Sequence, residues 1–217
     1  MGDRMLYAIG DIHGRMDRLE KLIKKINFNP DNDKIVFLGD YIDRGNQPIE
    51  CIKFVKSLVE SYPNKVIALM GNHEMMMKDY YEGIDTSWTH NGWEPTRAGL
   101  KLLDAEEREK LLDWIYDLPL FHCDGKYIFV HAGINPQYDL DSQIDMDLVW
   151  IREQFYYNYN GDKIIVVGHT PIQSLTGDME NNKPIFFHNI LFCDTGAFLD
   201  EGKLSCVNVE TLKYMQA

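Results

Sequence analysis

The chain has 217 residues, 45% of them apolar and 26% charged, with a net charge of −12. That length and composition fit one globular domain over residues 1–217 with its own hydrophobic core. The acidic balance argues against a general nucleic-acid or anionic-membrane surface, either of which needs a basic footprint. No apolar run approaches the roughly 20 residues of a membrane helix. A small anionic substrate stays compatible, because bound cations can reverse the field inside a cleft. The opening Met1-Gly2-Asp3-Arg4-Met5 lacks a signal-peptide pattern. Four widely spaced cysteines (Cys51, Cys123, Cys193, Cys206) form no CxxC. Reduced, mostly buried thiols and a cytoplasmic setting are therefore expected.

In chain order, Leu6–Ile9 reads as a short strand stopped by Gly10, and Met16, Leu19, Ile23 and Ile26 recur at helical spacing. A turn over Asn29–Asp33 precedes the apolar strand Ile35–Leu38. Asn46 can cap a helix whose first turn holds Pro48 and whose stripe is Ile49, Ile52, Val55 and Val59. A third strand spans Lys65–Met70. Met75 to Gly99 is aromatic and irregular, a helix running into a loop beside a cleft, with Tyr80, Tyr81, Trp88 and Trp93. Ala105–Tyr116 is an amphipathic helix. Strands follow at Tyr127–Val130, Lys163–Val167, Ile190–Cys193 and Leu204–Val209, before a short tail. Buried strands with helices between and after them imply an α/β core of two packed sheets covered by helices.

The stretch Gly39-Asp40-Tyr41-Ile42-Asp43-Arg44-Gly45 stands out. A buried strand delivers two carboxylates and a guanidinium within five positions, a cluster with no structural need. Asp40 reads as a metal ligand, Asp43 as the group orienting a catalytic side chain, and Arg44 as a fork for phosphoryl oxygens. Four further strands also end in O or N donors: Asp11, Asn72, His131 and His169. Glycine directly precedes Asp11, Asp40, Asn72 and His169. Ligand sites commonly lie beyond the carboxyl ends of strands in such sheets. With His13, the donors are two aspartates, one carboxamide and three imidazoles, without thiolate. That set suits Mn, Fe, Zn or Co. Six donors are too many for one tetrahedral ion, so two divalent metal ions sharing Asp40, with Mn2+ first, match the count.

Gly10-Asp11-Ile12-His13-Gly14, the Gly39–Gly45 stretch and Gly71-Asn72-His73-Glu74 resemble the GDxHG, GDxxDRG and GNHE motifs of the phosphoprotein phosphatase family, within the calcineurin-like metallophosphoesterases. Asp40 lies 29 residues after Asp11 and Asn72 lies 32 after Asp40, as in that family. His131-Ala132-Gly133, Gly168-His169-Thr170 and Trp150-Ile151-Arg152-Glu153 resemble its later motifs, and the small bacterial and lambda-phage serine/threonine phosphatases are the nearest type. The resemblance implies an αββα sandwich of two mixed sheets flanked by helices. It places Asp11, His13 and Asp40 on one metal, and Asp40, Asn72, His131 and His169 on the other. It makes His73 the general acid, oriented by Asp43, and has Arg44 and Arg152 grip the phosphate. The reaction implied is direct attack of metal-activated water on phosphoserine or phosphothreonine of a protein.

The competing reading is a symmetrical diadenosine tetraphosphate hydrolase, which shares the fold and most motifs. In that relative the central motif typically lacks the second aspartate, so Asp43 favours the phosphatase. Other residues read as structural: Glu74, and Asp194 as a carboxylate hydrogen-bonded in its turn. His90, His122 and His188 read as surface or satisfied core histidines, and Met75–Met77 as helix packing. Tyr156, Tyr157 and Tyr159 read as ordinary packing, with a cleft wall as the alternative.

Overall fold

The computed structural model describes residues 5–217; the first four residues, and the reading of the opening segment with them, lie outside the described residues. Ten strands and eight α-helices occur among the described residues. In the first half they are β1 (Leu6–Ile9), α1 (Met16–Lys25), β2 (Lys34–Phe37), α2 (Pro48–Ser61), β3 (Val66–Ala68), α3 (Asn72–Glu82), α4 (Glu94–Leu102) and α5 (Ala105–Tyr116). The second half holds β4 (Phe121–Asp124), β5 (Tyr127–Val130), α6 (Asp145–Trp150), α7 (Glu153–Tyr156), β6 (Ile164–Val167), α8 (Ile172–Thr176), β7 (Ile185–Phe187), β8 (Ile190–Phe192), β9 (Ser205–Asn208) and β10 (Tyr214–Gln216). They form two five-stranded mixed sheets, ordered β10-β9-β1-β2-β3 and β4-β5-β6-β8-β7.

Side-chain alternation explains the layering. Leu6, Ala8, Val36 and Leu38 of the first sheet meet Tyr127, Phe129, Val166, Leu191 and Cys193 of the second in one apolar cluster between the sheets. The intervening residues Ile9, Ile35 and Phe37 pack outward against Leu19, Leu22, Ile52 and Val55 of α1 and α2. Ile128, Val130, Ile165, Val167, Ile190 and Phe192 pack outward against Leu148, Phe155 and Ile172. A strand buried on both faces shows no polar alternation, which is why these segments read as continuous apolar runs. Each fully buried aliphatic or aromatic side chain contributes about 1.5–3 kcal/mol. The αββα sandwich expected from the sequence is the fold observed.

Differences from the expectation have local causes. β4, β7 and β10 are antiparallel edge strands that the apolar pattern did not reveal. All three are only partly buried, with sequences such as Phe121-His122-Cys123-Asp124. Pro48 opens α2 as expected, but the cap position belongs to Gln47, not Asn46, and no side chain caps it. The 75–99 stretch is more ordered than a loop: α3 ends at Glu82, a 3₁₀ turn covers Ser87–His90, and α4 starts at Glu94. Three cysteines are buried, whereas Cys123 is exposed on β4. No helix among the described residues is long and apolar enough to cross a membrane.

For the site, the decisive feature is direction. β1, β2 and β3 run parallel, as do β5, β6 and β8. Their carboxyl ends deliver Asp11, Asp40, Asn72, His131, His169 and a sixth group, Asp194. The Gly168 N–H donates to the His131 carbonyl, and the His169 N–H to the Asp11 carboxylate, so the two sheets meet at these ends.

Candidate active site

Five residues here adopt left-handed backbone without being glycine: His13 (φ 46°), Asp40 (53°), Asp43 (68°), Arg44 (65°) and His169 (64°). Each such residue costs about 1–2 kcal/mol. Strain concentrated in this way persists only where surroundings over-determine the conformation. Gly39 (φ 106°) makes the close approach that brings the loops together. A Cβ there would sit 2.7 Å from the Gly71 backbone and 2.9 Å from His131 Nδ1.

Glu74 ties the loops. Its Oε2 accepts from the Asp40 N–H (2.9 Å) and the Gly71 N–H (3.0 Å). Its Oε1 accepts from the N–H groups of Tyr41 (2.9 Å) and Ile42 (3.3 Å). Burial and the Asp40 charge push this carboxyl up to about 8, and the donated N–H bonds pull the other way. Glu74→Ala leaves four buried donors unpaired, a loss of at least about 3 kcal/mol. Thermal unfolding should show Tm lowered by roughly 6–12 °C. A shift below about 2 °C would contradict this role.

Asp40 is the common vertex of the site. It belongs to two groups of mutually close, buried donors, His13–Asp40–His73 and Asp40–His131–His169. Its Oδ2 lies 3.4 Å from His13 Nε2 and its Oδ1 3.5 Å from His131 Nε2. Oδ1 also accepts from the His73 N–H at 3.0 Å. Burial depresses His13, His131 and His169, so neutral imidazoles are favoured.

Neutral imidazoles create a surplus of lone pairs. His131 Nδ1 lies 2.8 Å from the Leu38 carbonyl and therefore carries the proton, leaving Nε2 with a lone pair 2.9 Å from Asn72 Oδ1. His169 Nδ1 is also 2.9 Å from that same amide oxygen, to which it can donate, and its Nε2 is then a buried lone pair with no hydrogen-bond partner among the described residues. His13 likewise has Nδ1 on the Ile42 carbonyl (2.9 Å) and its Nε2 lone pair turned inward, where Arg44 meets it. Acceptors facing acceptors in a buried site repel unless a cation lies among them. The donor chemistry thus fits divalent metal ions. Asp11 stands beside these groups rather than within either. Its carboxylate accepts from the His169 N–H at 3.0 and 3.1 Å, and burial, then Asp194 and Asp40, push it well above the usual range.

His73 Nδ1 donates to Asp43 Oδ2 at 2.7 Å, with both side chains buried. Arg44 donates to His13 Nε2 (2.8 Å) and His73 Nε2 (3.0 Å), and its guanidinium lies 4.2 Å from the Phe198 ring centre. On the other side, exposed Arg152 donates to the Thr170 hydroxyl at 2.5 Å, which is 2.5 Å from the Tyr156 hydroxyl. Its charge lowers both His131 and His169. The two arginines therefore serve opposite ends of the donor cluster.

Most of the remaining residues take the structural roles expected of them, with Asp194 the partial exception. Tyr156 is buried and braces Arg152 through Thr170 instead of walling a cleft. Tyr157 is 73% exposed, and the Tyr159 hydroxyl bonds the Lys163 carbonyl. Asp194 does accept from the Gly196 N–H (2.9 Å), but its Oδ2 is buried with no hydrogen-bond partner among the described residues. Burial pushes that carboxyl up to about 6. Met76 and Met77 are core residues, and His90 and His188 are exposed. Trp88, Thr96, Thr170 and Phe198 touch the site groups without having been singled out as such. Of these, only Thr170 lies within a recognisable motif, Gly168-His169-Thr170.

Comparisons with known proteins agree with this geometry. The sequence profile of the calcineurin-like phosphoesterase family matches residues 5–199. A symmetrical bis(5'-nucleosyl)-tetraphosphatase of Marinomonas sp. is 29% identical over 225 residues, covering 96% of this chain and 74% of that protein. One from Salmonella paratyphi B is 34% identical over 138 residues, covering 63% of this chain and 45% of that protein. The chain thus spans about half the length of several such relatives. A crystal structure provisionally described as a diadenosine tetraphosphatase superposes with a TM-score of 0.73 at 16% identity, over 99% of this chain and 93% of that one. These relatives carry the name of the reading ranked second from sequence, not of a serine/threonine phosphatase. With its profile match, its two-sheet sandwich and its buried Asp/His cluster, the chain belongs to the calcineurin-like phosphoesterase family.

Proposed function

We propose that this protein is a metal-dependent hydrolase of dinucleoside tetraphosphates, cleaving symmetrically to two nucleoside diphosphates. The observation that carries hydrolysis of a phosphate bond is the buried cluster of inward lone pairs around Asp40, flanked by two arginines. The substrate class rests on the relatives' names.

In this reading Asp11, His13 and Asp40 hold one divalent ion and Asp40, Asn72, His131 and His169 the other. When bound, such ions polarise the phosphoryl group and supply nucleophilic water at neutral pH. Arg44 and Arg152 bind phosphoryl oxygens from the two ends and offset charge as the bond breaks. His73 Nε2 faces the leaving oxygen as general acid, while Asp43 keeps Nδ1 protonated. In this structure His73 Nε2 accepts from Arg44. It cannot accept that bond and hold an acidic proton together, so Arg44 must turn onto a phosphoryl oxygen before His73 donates. The net charge of −12 is met locally by the cations and arginines.

One observation favours a second reading, hydrolysis of phosphoserine or phosphothreonine. A diphosphate leaving group, with a pKa near 6, needs little help from an acid. A serine alkoxide needs much more, and Asp43 holds His73 at 2.7 Å in the manner that help requires. A parallel assay with manganese, of a dinucleoside tetraphosphate against a phosphoserine peptide, separates the two. The proposal expects kcat/KM at least about tenfold higher for the dinucleotide, with diphosphate as product. Preference for the peptide, or release of a monophosphate and a triphosphate, contradicts it.

A further inference from the structure

The segment from Thr86 to Leu102 contains none of the recognised motifs, yet it grips the strained Asp43-Arg44 turn at three points. Trp88 Nε1 donates to Asp43 Oδ2 at 2.8 Å. The Thr96 hydroxyl donates to Asp43 Oδ1 at 2.5 Å and accepts from the Asp43 N–H at 2.9 Å. The Gly92 carbonyl accepts from the Arg44 N–H at 2.8 Å. Gly92 itself has φ 80°, and a Cβ there would lie 2.9 Å from Arg44 Cγ.

These contacts do more than fill space. Trp88 and Thr96 are both fully buried. The Trp88 indole sits among the rings of Tyr80, Tyr81 and Trp93 at 5.2–5.9 Å, a cluster that phenylalanine could also fill. The one hydrogen bond from the indole N–H, however, goes to the oxygen that receives the His73 proton. Thr96 fixes the other oxygen. With both oxygens held, the carboxylate cannot rotate about its own axis, and the imidazole it holds is fixed with it.

We propose that Trp88 and Thr96 are positioning residues for the His73–Asp43 pair, and that the Thr86–Leu102 segment holds this pair and Arg44 in mutual register as one piece. The inference rests on the reading of His73 as general acid, so its test includes Asp43→Asn as a reference. The variants are Trp88→Phe, Thr96→Val and Thr96→Ser, with Trp93→Phe as a control that disturbs the same aromatic cluster without touching Asp43. Turnover is measured with manganese on phenyl phosphate, whose leaving group resembles a tyrosine phenol, and on nitrophenyl phosphate, which leaves unaided.

Trp88→Phe and Thr96→Val should each lower kcat about tenfold on phenyl phosphate and less than about threefold on nitrophenyl phosphate, with KM unchanged. Thr96→Ser should restore the loss, and Trp93→Phe should leave the ratio between substrates as it was. Without substrate, the downfield proton resonance of His73 Nδ1–H should move in Trp88→Phe and Thr96→Val but not in Trp93→Phe. Equal losses on both substrates, losses that follow Tm alone, or an unmoved resonance overturn the proposal. If Asp43→Asn shows no selectivity either, the reading of the acid fails as well; if Asp43→Asn is selective and the other two are not, only the positioning role fails.

Discussion

Asp40→Asn should abolish most turnover, by about a thousandfold or more, in protein that remains folded by circular dichroism. The side chain is nearly isosteric, and its Oδ1 can still accept the His73 N–H that Asp40 accepts at 3.0 Å. What it loses is the charge shared between the two donor groups, together with one oxygen lone pair facing His13. Loss of metal-derived charge stabilisation of several kcal/mol corresponds to three or more powers of ten in rate. The measurement is steady-state hydrolysis of nitrophenyl phosphate at saturating manganese. Activity within tenfold of the parent would mean that Asp40 is not the shared ligand.

Asp43→Asn should act differently, because Asp43 holds His73, the proposed acid, and is not among the proposed metal ligands. Trp88 and His73 both point donors at Oδ2, so the amide oxygen must take that position. The amide nitrogen then faces the Thr96 hydroxyl, which can rotate to accept. The imidazole keeps its orientation but loses the negative charge beside it. Turnover of an ester with an alkoxide leaving group should fall about 10²–10³-fold, within the range of general acid catalysis. Nitrophenyl phosphate should lose less than tenfold. Equal losses on the two substrates would contradict the assignment of Asp43 to the acid.

Much of this architecture is legible in the sequence, for a definite reason. Strands buried on both faces, such as Ile35–Phe37 and Ile164–Val167, have to be apolar throughout, and helices such as Ala105–Tyr116 show one clear stripe. Strand ends in a parallel sheet point one way, so donors placed after Ile9, Leu38, Met70, Val130 and Gly168 converge once the sheets form. The edge strands β4, β7 and β10 stayed hidden, since a strand with one neighbour needs no continuous apolar run. Asn46 failed as a cap because Gln47 intervenes before Pro48.

The part of the site that escaped detection lies outside short spacing altogether. Trp88 and Thr96 are 45 and 53 residues from Asp43, and nothing in their own surroundings marks them as partners of a carboxylate. Thr170, in the loop after β6, and Tyr156 at the end of α7 form a chain to Arg152. Glu74 reads from sequence as a structural carboxylate, and its four backbone partners show how such a residue can set a site it does not enter. Motifs specify the groups that carry chemistry, whereas the side chains that hold them are specified only by the folded chain.

The proposed function requires that buried Asp and His side chains with one carboxamide form adjoining sites for two divalent ions joined at Asp40. Crystals soaked in manganese and measured at the metal absorption edge test it directly. Two anomalous peaks per chain are expected, roughly 3.5–4 Å apart, one beside His13 and the other beside His131 and His169, with Asp40 in contact with both. A single peak, or a pair that leaves Asp40 unliganded, would contradict it.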